Sequence, residues 1–244
     1  GDHRDLHVRS RRQRQMCIRD SGKTTGKTNV IAHGIDNRFQ QYPRRQRKIE
    51  EYSEAQPFRI IYVSAVDVYK HQWHVVEGIA ILRKAGFPVI LELVGGGYAD
   101  ALIRLTQSME REDPDKKFVT YSGLVPFNDL HTKYLNADLC VFASSCENMP
   151  NILLEAMASG LPIACSDAGP MPEILGEAGV YFNPEIAVSI ADSVRKLVDS
   201  SDLRTKLANQ SYILSKKYSW KQCAGETFDF LKNVAECHKG KLNV

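Results

Sequence analysis

The sequence lacks long apolar runs. Although 43% of its 244 residues are hydrophobic, they never form an uninterrupted stretch of roughly 18, the length that a membrane-spanning helix requires. The amino-terminal region also contains no short apolar segment of the kind that directs secretion. We therefore predict no transmembrane helix and no signal peptide, and we expect a cytoplasmic protein.

Paired cysteine motifs are absent as well. The chain has six cysteines, and no two of them form a Cys-x-x-Cys motif. Three of them, Cys140, Cys146 and Cys165, lie in or near segments that we predict to be buried strands. Because zinc sites use closely spaced cysteine and histidine pairs, we predict free thiols and no metal site.

Basic residues are concentrated at one end of the chain. Residues 1–48 hold 13 Lys and Arg against 4 Asp and Glu, whereas the rest of the chain holds 19 and 25. Residues 1–28 show neither helical nor strand periodicity, so we predict a non-native or disordered basic tail. The alternative is an arm that binds nucleic acid, but we favour no nucleic-acid partner.

Two glycine-rich stretches imitate nucleotide-binding motifs without completing them. Between Gly22 and Gly26 only three residues intervene, one fewer than a P-loop needs, and no buried strand precedes them. In the stretch that begins at Gly95, Asp100 occupies the last glycine position of the dinucleotide fingerprint. We therefore predict neither a nucleoside triphosphatase nor a dehydrogenase, and no cofactor.

Strands and helices alternate from residue 58 onwards. Apolar runs predict strands at 58–66, 88–95, 118–123, 138–143, 162–166 and 179–182, after a short strand and turn at 29–36. Amphipathic segments predict helices at 71–85, 99–112, 128–137, 151–159, 186–199, 201–216 and 220–237. The predicted fold class is α/β, a Rossmann-like doubly wound parallel sheet that spans 29–238, followed by a tail at 239–244.

The stretch at 139–160 is the most informative. An apolar strand leads through a polar loop into a helix, which Gly160 and Pro162 terminate. Open α/β sheets bind ligands at such places, where a strand is followed by a helix. The first-turn N–H groups of Met149, Asn151 and Ile152 can point at an anion. The flanking carboxylates of Glu147 and Glu155 suit hydroxyl groups better than phosphate. A phosphate between two polyols describes a nucleotide-sugar.

A known signature resembles this stretch. Glu147-x7-Glu155, followed by Ala-Met-Ala-Ser-Gly-Leu-Pro and by Gly-Pro-Met-Pro-Glu-Ile at 169–174, resembles the donor-binding signature of the retaining glycosyltransferases of family four. These enzymes have the GT-B fold, which joins two Rossmann-like domains. The resemblance covers roughly residues 29–238. It implies that the chain is one half of a GT-B fold, the carboxyl-terminal donor-binding domain, without the acceptor domain.

The resemblance also assigns roles to residues of this sequence. Glu147 would be the catalytic residue that faces the transferred sugar, and Glu155 would accept hydrogen bonds from the ribose diol. Lys70 would supply a counter-charge to the donor diphosphate, although Ser64 and Ala65 stand where the family usually has Gly-Arg. The other implied contacts come from the backbone near Gly34, the Val125 backbone at the nucleobase, and Asn148, Met149 and Asn151 at phosphate and sugar.

The resemblance implies hexosyl transfer, with retention, from a UDP- or GDP-linked sugar to a glycan or lipid-linked acceptor. It implies no bound metal, and a setting in bacterial surface polysaccharide or lipopolysaccharide assembly at the inner face of the plasma membrane. The missing domain would make any peripheral membrane contact, and the fragment alone would be inactive. The helix from Trp220 would present an apolar face towards that domain. The alternatives are a non-catalytic nucleotide-sugar binding module and a GT-B-type epimerase.

Overall fold

The computed structural model describes residues 29–242. The described residues divide into two compact units, of which the larger is Ile35–Lys217 and the smaller comprises 29–34 and 218–242. The predicted basic tail at 1–28 lies outside the described residues.

A six-stranded parallel sheet forms the centre of the larger unit. Its strands run in the order β3-β2-β1-β4-β5-β6, with Phe58 beside Val89 and Ile60 beside Leu139. This is the strand order of the Rossmann fold. The strands are β1 (Phe58–Val63), β2 (Val89–Val94), β3 (Val119–Tyr121), β4 (Leu139–Phe142), β5 (Ile163–Ser166) and β6 (Val180–Phe182).

Helices flank the sheet. They are α1 (Gln72–Lys84), α2 (Ala99–Glu112), α3 (Phe127–Leu135), α4 (Asn151–Ala158), α5 (Met171–Leu175), α6 (Ala187–Asp199) and α7 (Ser201–Ser215). Helix α1 packs against α2 and α6, and α4 packs against α7. Every residue of β4 and β5 is buried, as expected for the central part of a parallel sheet with both faces covered. The predicted fold class is confirmed.

The structure departs from the predicted elements mainly outside the sheet. Residues 29–36 form no strand longer than a single bridge position, and two short 3-10 helices, Asn37–Phe39 and Ile49–Glu51, occupy the segment before β1. The short helix α5 has no counterpart among the predicted elements. Its five residues include Pro172, so the segment offers too little periodicity for a helix to be recognised from sequence.

A buried arginine joins three parts of the larger unit. Arg204 of α7 is fully buried, and its guanidinium donates hydrogen bonds to the carbonyls of Leu197 (2.5 Å) and Val198 (2.7 Å) at the end of α6. It also donates to the carbonyl of Arg47 and, at 3.2 Å, to the side chain of Gln46. The electronegative end of α6 therefore takes the place of a carboxylate partner.

The smaller unit contains the long helix α8 (Trp220–Leu242). This helix continues beyond residue 238, into the segment predicted as a tail. A side chain at Gly34 would place its Cβ 2.0 Å from the backbone nitrogen of Trp220, and the His33 and Trp220 rings stack at 5.9 Å. Helix α8 exposes Phe228, Leu231 and Val234, in agreement with the expected apolar face.

Two further sequence predictions concern the described residues. Cys140, Cys146, Cys165 and Cys223 are free thiols, as predicted, and Cys140 and Cys165 are buried. Within residues 29–242, no helix is both long enough and apolar enough to cross a membrane.

Candidate functional site

The site lies where the order of the strands reverses. Strands β1 and β4 are neighbours in the centre of the sheet, but their crossover helices lead in opposite directions, to β2 and to β5. In open α/β sheets a crevice forms beyond the carboxyl ends of two such strands, and ligands bind there. The loop at 64–71 follows β1 and the loop at 143–150 follows β4, so both reach this crevice.

An ion pair connects the two loops. The Nζ of Lys70 contacts the Oε1 of Glu147, and the two side chains are only 7% and 16% exposed. The Lys70 ammonium also lies 5.0 Å from the ring centroid of Tyr69 and 5.6 Å from that of Phe142. Two residues that the sequence analysis assigned separately, to phosphate and to sugar, therefore meet at one point. Lys70 is not a solvated surface lysine.

The backbone beside Lys70 is braced from both sides. His71 has a left-handed conformation with φ of 53°, which is uncommon for a residue with a side chain. Its Nε2 lies 2.9 Å from the Ser145 Oγ, and the Ser145 N–H donates to the carbonyl of Tyr69 at 2.8 Å. The buried hydroxyl of Tyr62 donates to the Lys70 carbonyl at 2.7 Å. The loop conformation is thus fixed by side chains from β1 and from the loop after β4.

Glu155 occupies a less polar position than Glu147. It lies in α4 with its carboxylate partly buried, and the Tyr134 hydroxyl donates to its Oε2 at a long 3.4 Å. Burial raises the pKa of Glu155 to about 7, the Tyr134 hydrogen bond lowers it, and the charge of Asp36 raises it. Among the residues that the structure describes, no cation contributes to this pKa. A ligand that donates hydrogen bonds to this carboxylate would satisfy it.

The start of α4 differs in detail from the prediction. Pro150 is the N-cap of this helix, with ψ of 81°. The N–H of Asn151 donates to the carbonyl of Met149 at 3.0 Å, so it is not the free donor that the sequence suggested, because the turn at Pro150 brings that carbonyl back towards it. Asn148 and Asn151 are exposed at this end of the helix.

Glycines shape the other loops at this edge of the sheet. Gly95 has φ of 142°, and a Cβ there would lie 2.1 Å from the carbonyl oxygen of Ser64. Its N–H donates to the carbonyl of Gly123 at 2.8 Å. Val125 lies two residues after Gly123, in the half-buried loop between β3 and α3. Its proposed contact with a nucleobase stays a prediction.

Among the predicted site residues, Gly34 belongs to the smaller unit. Its close approach to the backbone of Trp220 already accounts for a glycine, and its contact with a ligand stays a prediction. Sequence reasoning missed His71, Ser145 and Tyr134. The position of His71 directly after Lys70 was the one available signal for the first of these.

The described residues hold no group of three or more His, Cys, Asp or Glu side chains arranged to bind a metal ion. An Asp-x-Asp sequence does occur at Asp113–Pro114–Asp115, but its carboxylates serve the chain itself. Asp113 accepts the N–H groups of Lys117, Phe118 and Val119 at 2.7 to 2.8 Å. Asp115 pairs with Lys117 at 2.7 Å.

Curated relatives of this chain are glycosyltransferases. It is 25% identical over 187 residues to the O-antigen chain mannosyltransferase B of Escherichia coli, a match that covers 75% of this chain and 48% of that protein. It is 25% identical over 215 residues to a GDP-mannose-dependent alpha-(1-6)-phosphatidylinositol monomannoside mannosyltransferase of Mycobacterium tuberculosis, covering 82% and 54%. The chain thus spans about half the length of these relatives.

Solved structures with the same fold include Anabaena Alr3699/HepE in complex with UDP and glucose. That structure matches with a TM-score of 0.75 at 20% identity, over 89% of this chain and 60% of that one. The carboxyl-terminal domain of the group 1 glycosyl transferase LpcC from Francisella tularensis matches with a TM-score of 0.62 at 25% identity, over 75% and 97%.

The family assignment follows from the sequence profile. The profile described as Glycosyl transferases group 1 matches residues 57–200, which is more than half of the chain and includes both strands of the crevice with their loops. The chain belongs to the group 1 glycosyl transferases.

Proposed function

We propose that this chain is the donor-binding half of a retaining glycosyltransferase. It would bind a nucleoside-diphosphate sugar so that the hexosyl group can be transferred to a glycan or lipid-linked acceptor, in bacterial surface polysaccharide or lipopolysaccharide assembly. The observation that carries the proposal is the ion pair between Lys70 and Glu147. It lies in the crevice where the strand order reverses, beside the helix that bears Glu155. The half-length match to mannosyltransferases supports a chain that needs a second domain for catalysis.

Each group has a distinct task in this proposal. The Lys70 ammonium would move from Glu147 to the donor diphosphate, and the first-turn amides of α4 would add to its stabilisation. As the glycosidic bond breaks, these same groups would stabilise the negative charge that develops on the leaving diphosphate. Glu147, released from Lys70, would face the hydroxyl groups of the sugar. Glu155 would accept hydrogen bonds from the ribose.

Calorimetry with the full chain tests the proposal. We expect UDP- or GDP-linked sugars to bind, and Glu155→Ala to reduce the affinity below detection because the ribose loses its carboxylate acceptor. Glu110→Ala removes an exposed carboxylate from α2 and is the matched control, expected to leave the affinity unchanged. The proposal is wrong if neither nucleotide-sugar class binds, or if both variants lose affinity equally.

The raised pKa of Glu155 predicts pH-dependent binding. Because a diol donates to the ionised carboxylate, the ligand binds the deprotonated form, and affinity should rise as the pH passes through about 7. With roughly a tenth of Glu155 ionised one pH unit below this pKa, affinity at pH 6 should be about tenfold weaker than at pH 8. Calorimetry across this range measures it.

A nucleotide-sugar suits this measurement because each of its two phosphates carries one ester and one anhydride bond, so the single acidic group left on each stays ionised throughout. Glu155→Gln should flatten the profile, since its amide does not titrate. An unchanged slope in Glu155→Gln would assign the pH dependence to another group and contradict the role of this carboxylate.

A further inference from the structure

A second polar pocket lies at the opposite end of the sheet from the donor loops. Its volume is about 280 Å³, and it opens beside the start of β1 and the residue before β4, where Arg59 and Asp138 are found. A six-residue strand such as β1 is roughly 20 Å long. The pocket is therefore separate from the crevice that contains Lys70 and Glu147.

Positive charge dominates this pocket. Three arginines, Arg44, Arg47 and Arg59, line it together with one carboxylate, that of Asp138. The buried guanidinium of Arg204 lies directly behind, bonded to the carbonyl of Arg47. Four guanidinium groups thus lie in, or directly behind, a pocket that holds a single carboxylate.

The carboxylate of Asp138 is already occupied. Its Oδ1 accepts the Tyr52 hydroxyl at 3.1 Å and its Oδ2 accepts the Arg59 backbone N–H at 2.9 Å. Among the residues that the structure describes, no carboxylate forms an ion pair with Arg44, Arg47 or Arg59. The charge of the pocket is consequently available to a ligand.

The pocket is also held in shape by the chain around it. The Arg47 guanidinium packs 4.0 Å from the centroid of the Tyr52 ring, and Arg44 donates to the carbonyl of Leu135 at the end of α3. Arg204 fixes the backbone of Arg47 from within the core. Side chains that are already ordered lose less conformational entropy when they bind.

We propose that this arginine pocket binds a phosphate-bearing group. Guanidinium groups form paired, charge-assisted hydrogen bonds with phosphate oxygens, and a concave surface of one charge sign concentrates anions. The phosphate belongs either to a free phosphate or diphosphate ion or to the headgroup of an anionic lipid. The proposal does not depend on the donor site, which lies at the other end of the strands.

Nuclear magnetic resonance of the full 27.5 kDa chain can locate the binding. During a titration with inorganic pyrophosphate, we expect saturable shifts of the amide resonances of Ala55, Gln56 and Asn136, which line the pocket. Because the basic residues at 1–28 and the donor crevice can also attract pyrophosphate, the position of the shifts is decisive. Shifts confined to residues outside the pocket would overturn the proposal.

Two charge-matched double variants provide the control. Arg44→Gln with Arg59→Gln removes two exposed charges of the pocket, and Arg195→Gln with Lys196→Gln removes two from the exposed face of α6. We expect the pocket shifts to weaken at least tenfold in apparent affinity in the first variant only, since each charge-assisted bond contributes roughly a factor of ten. An equal loss of affinity in both variants would show that pyrophosphate responds only to the net charge of the chain. That result would contradict a specific site in the pocket.

Vesicle sedimentation distinguishes the two sources. If the phosphate comes from a lipid, the chain will sediment with phosphatidylglycerol vesicles but not with phosphatidylcholine vesicles, and the pocket variant will lose this binding while the α6 variant keeps it. If only pyrophosphate binds through the pocket, the source is a free anion. Failure of both ligands to bind through the pocket would refute the proposal.

Discussion

Replacing Lys70 with methionine should weaken the binding of the nucleotide-sugar roughly 10- to 100-fold, the value of a lost charge-assisted hydrogen bond. Lys70 is 6% exposed, so its charge acts at close range and with little screening by solvent. Methionine keeps most of the length and apolar surface of the side chain and removes the ammonium. Calorimetry with the nucleotide-sugar that the wild type binds would measure the loss.

The matched control for this change is Lys133→Met. Lys133 also pairs with a glutamate, Glu92 at 2.6 Å, but on the helix after β3, away from the two crevice loops. Its replacement should leave affinity within about twofold, because a partly exposed ion pair contributes little. Equal losses in the two variants would contradict a phosphate contact for Lys70.

A second substitution separates binding from folding. Lys70→Met leaves the Glu147 carboxylate without its cation, which should lower the free energy of unfolding. Adding Glu147→Gln removes that uncompensated charge and should restore much of the stability, while the affinity for the nucleotide-sugar stays low. Recovery of affinity in the double variant would mean that Lys70 acts only by neutralising Glu147.

Arg204→Met should lower the free energy of unfolding by roughly 3 kcal/mol or more, because each buried acceptor left unsatisfied costs about 1 to 3 kcal/mol. The substitution leaves the carbonyls of Leu197, Val198 and Arg47 without the donors that they have in the core. Unsatisfied buried carbonyls lose their hydration without compensation. Urea denaturation followed by circular dichroism would measure the difference.

An exposed arginine provides the comparison. Arg104 packs over the Trp73 ring at 3.9 Å, so Arg104→Met loses a cation–π contact but exposes no buried acceptor, and we expect it to cost less than about 1 kcal/mol. If Arg204→Met costs no more than this control, the carbonyls find other donors. Arg204 would then not be the residue that stabilises the contact between α7, the end of α6 and the segment that contains Gln46 and Arg47.

The sheet could be predicted from sequence because each strand is an apolar run between turn residues. Residues 139–143 and 162–166 illustrate this, since burial on both faces leaves no polar position in the core of the run. The partly buried position of Glu155 likewise accords with its apolar sequence neighbours in α4. In both cases the information is local, within one turn of helix or one strand.

The pairing of side chains could not be predicted in the same way. Lys70 and Glu147 are 77 residues apart, and their contact depends on the relative position of two loops. The sequence around Arg204 reads as an ordinary amphipathic helix, in which an arginine is expected at the surface. The hydrogen bond from Asn151 to Met149 depends on the exact turn at Pro150, which propensities do not specify.

The brace between His71 and Ser145 has a kinetic consequence. It holds the two walls of the crevice together before any ligand arrives, so the walls need not close around the nucleotide-sugar. Association should then occur in a single phase, and its observed rate should rise in proportion to the ligand concentration. It should not level off at the rate of a conformational step. The uncommon backbone conformation of His71 is in this sense part of a preassembled opening, through which the ligand enters and leaves without a moving lid.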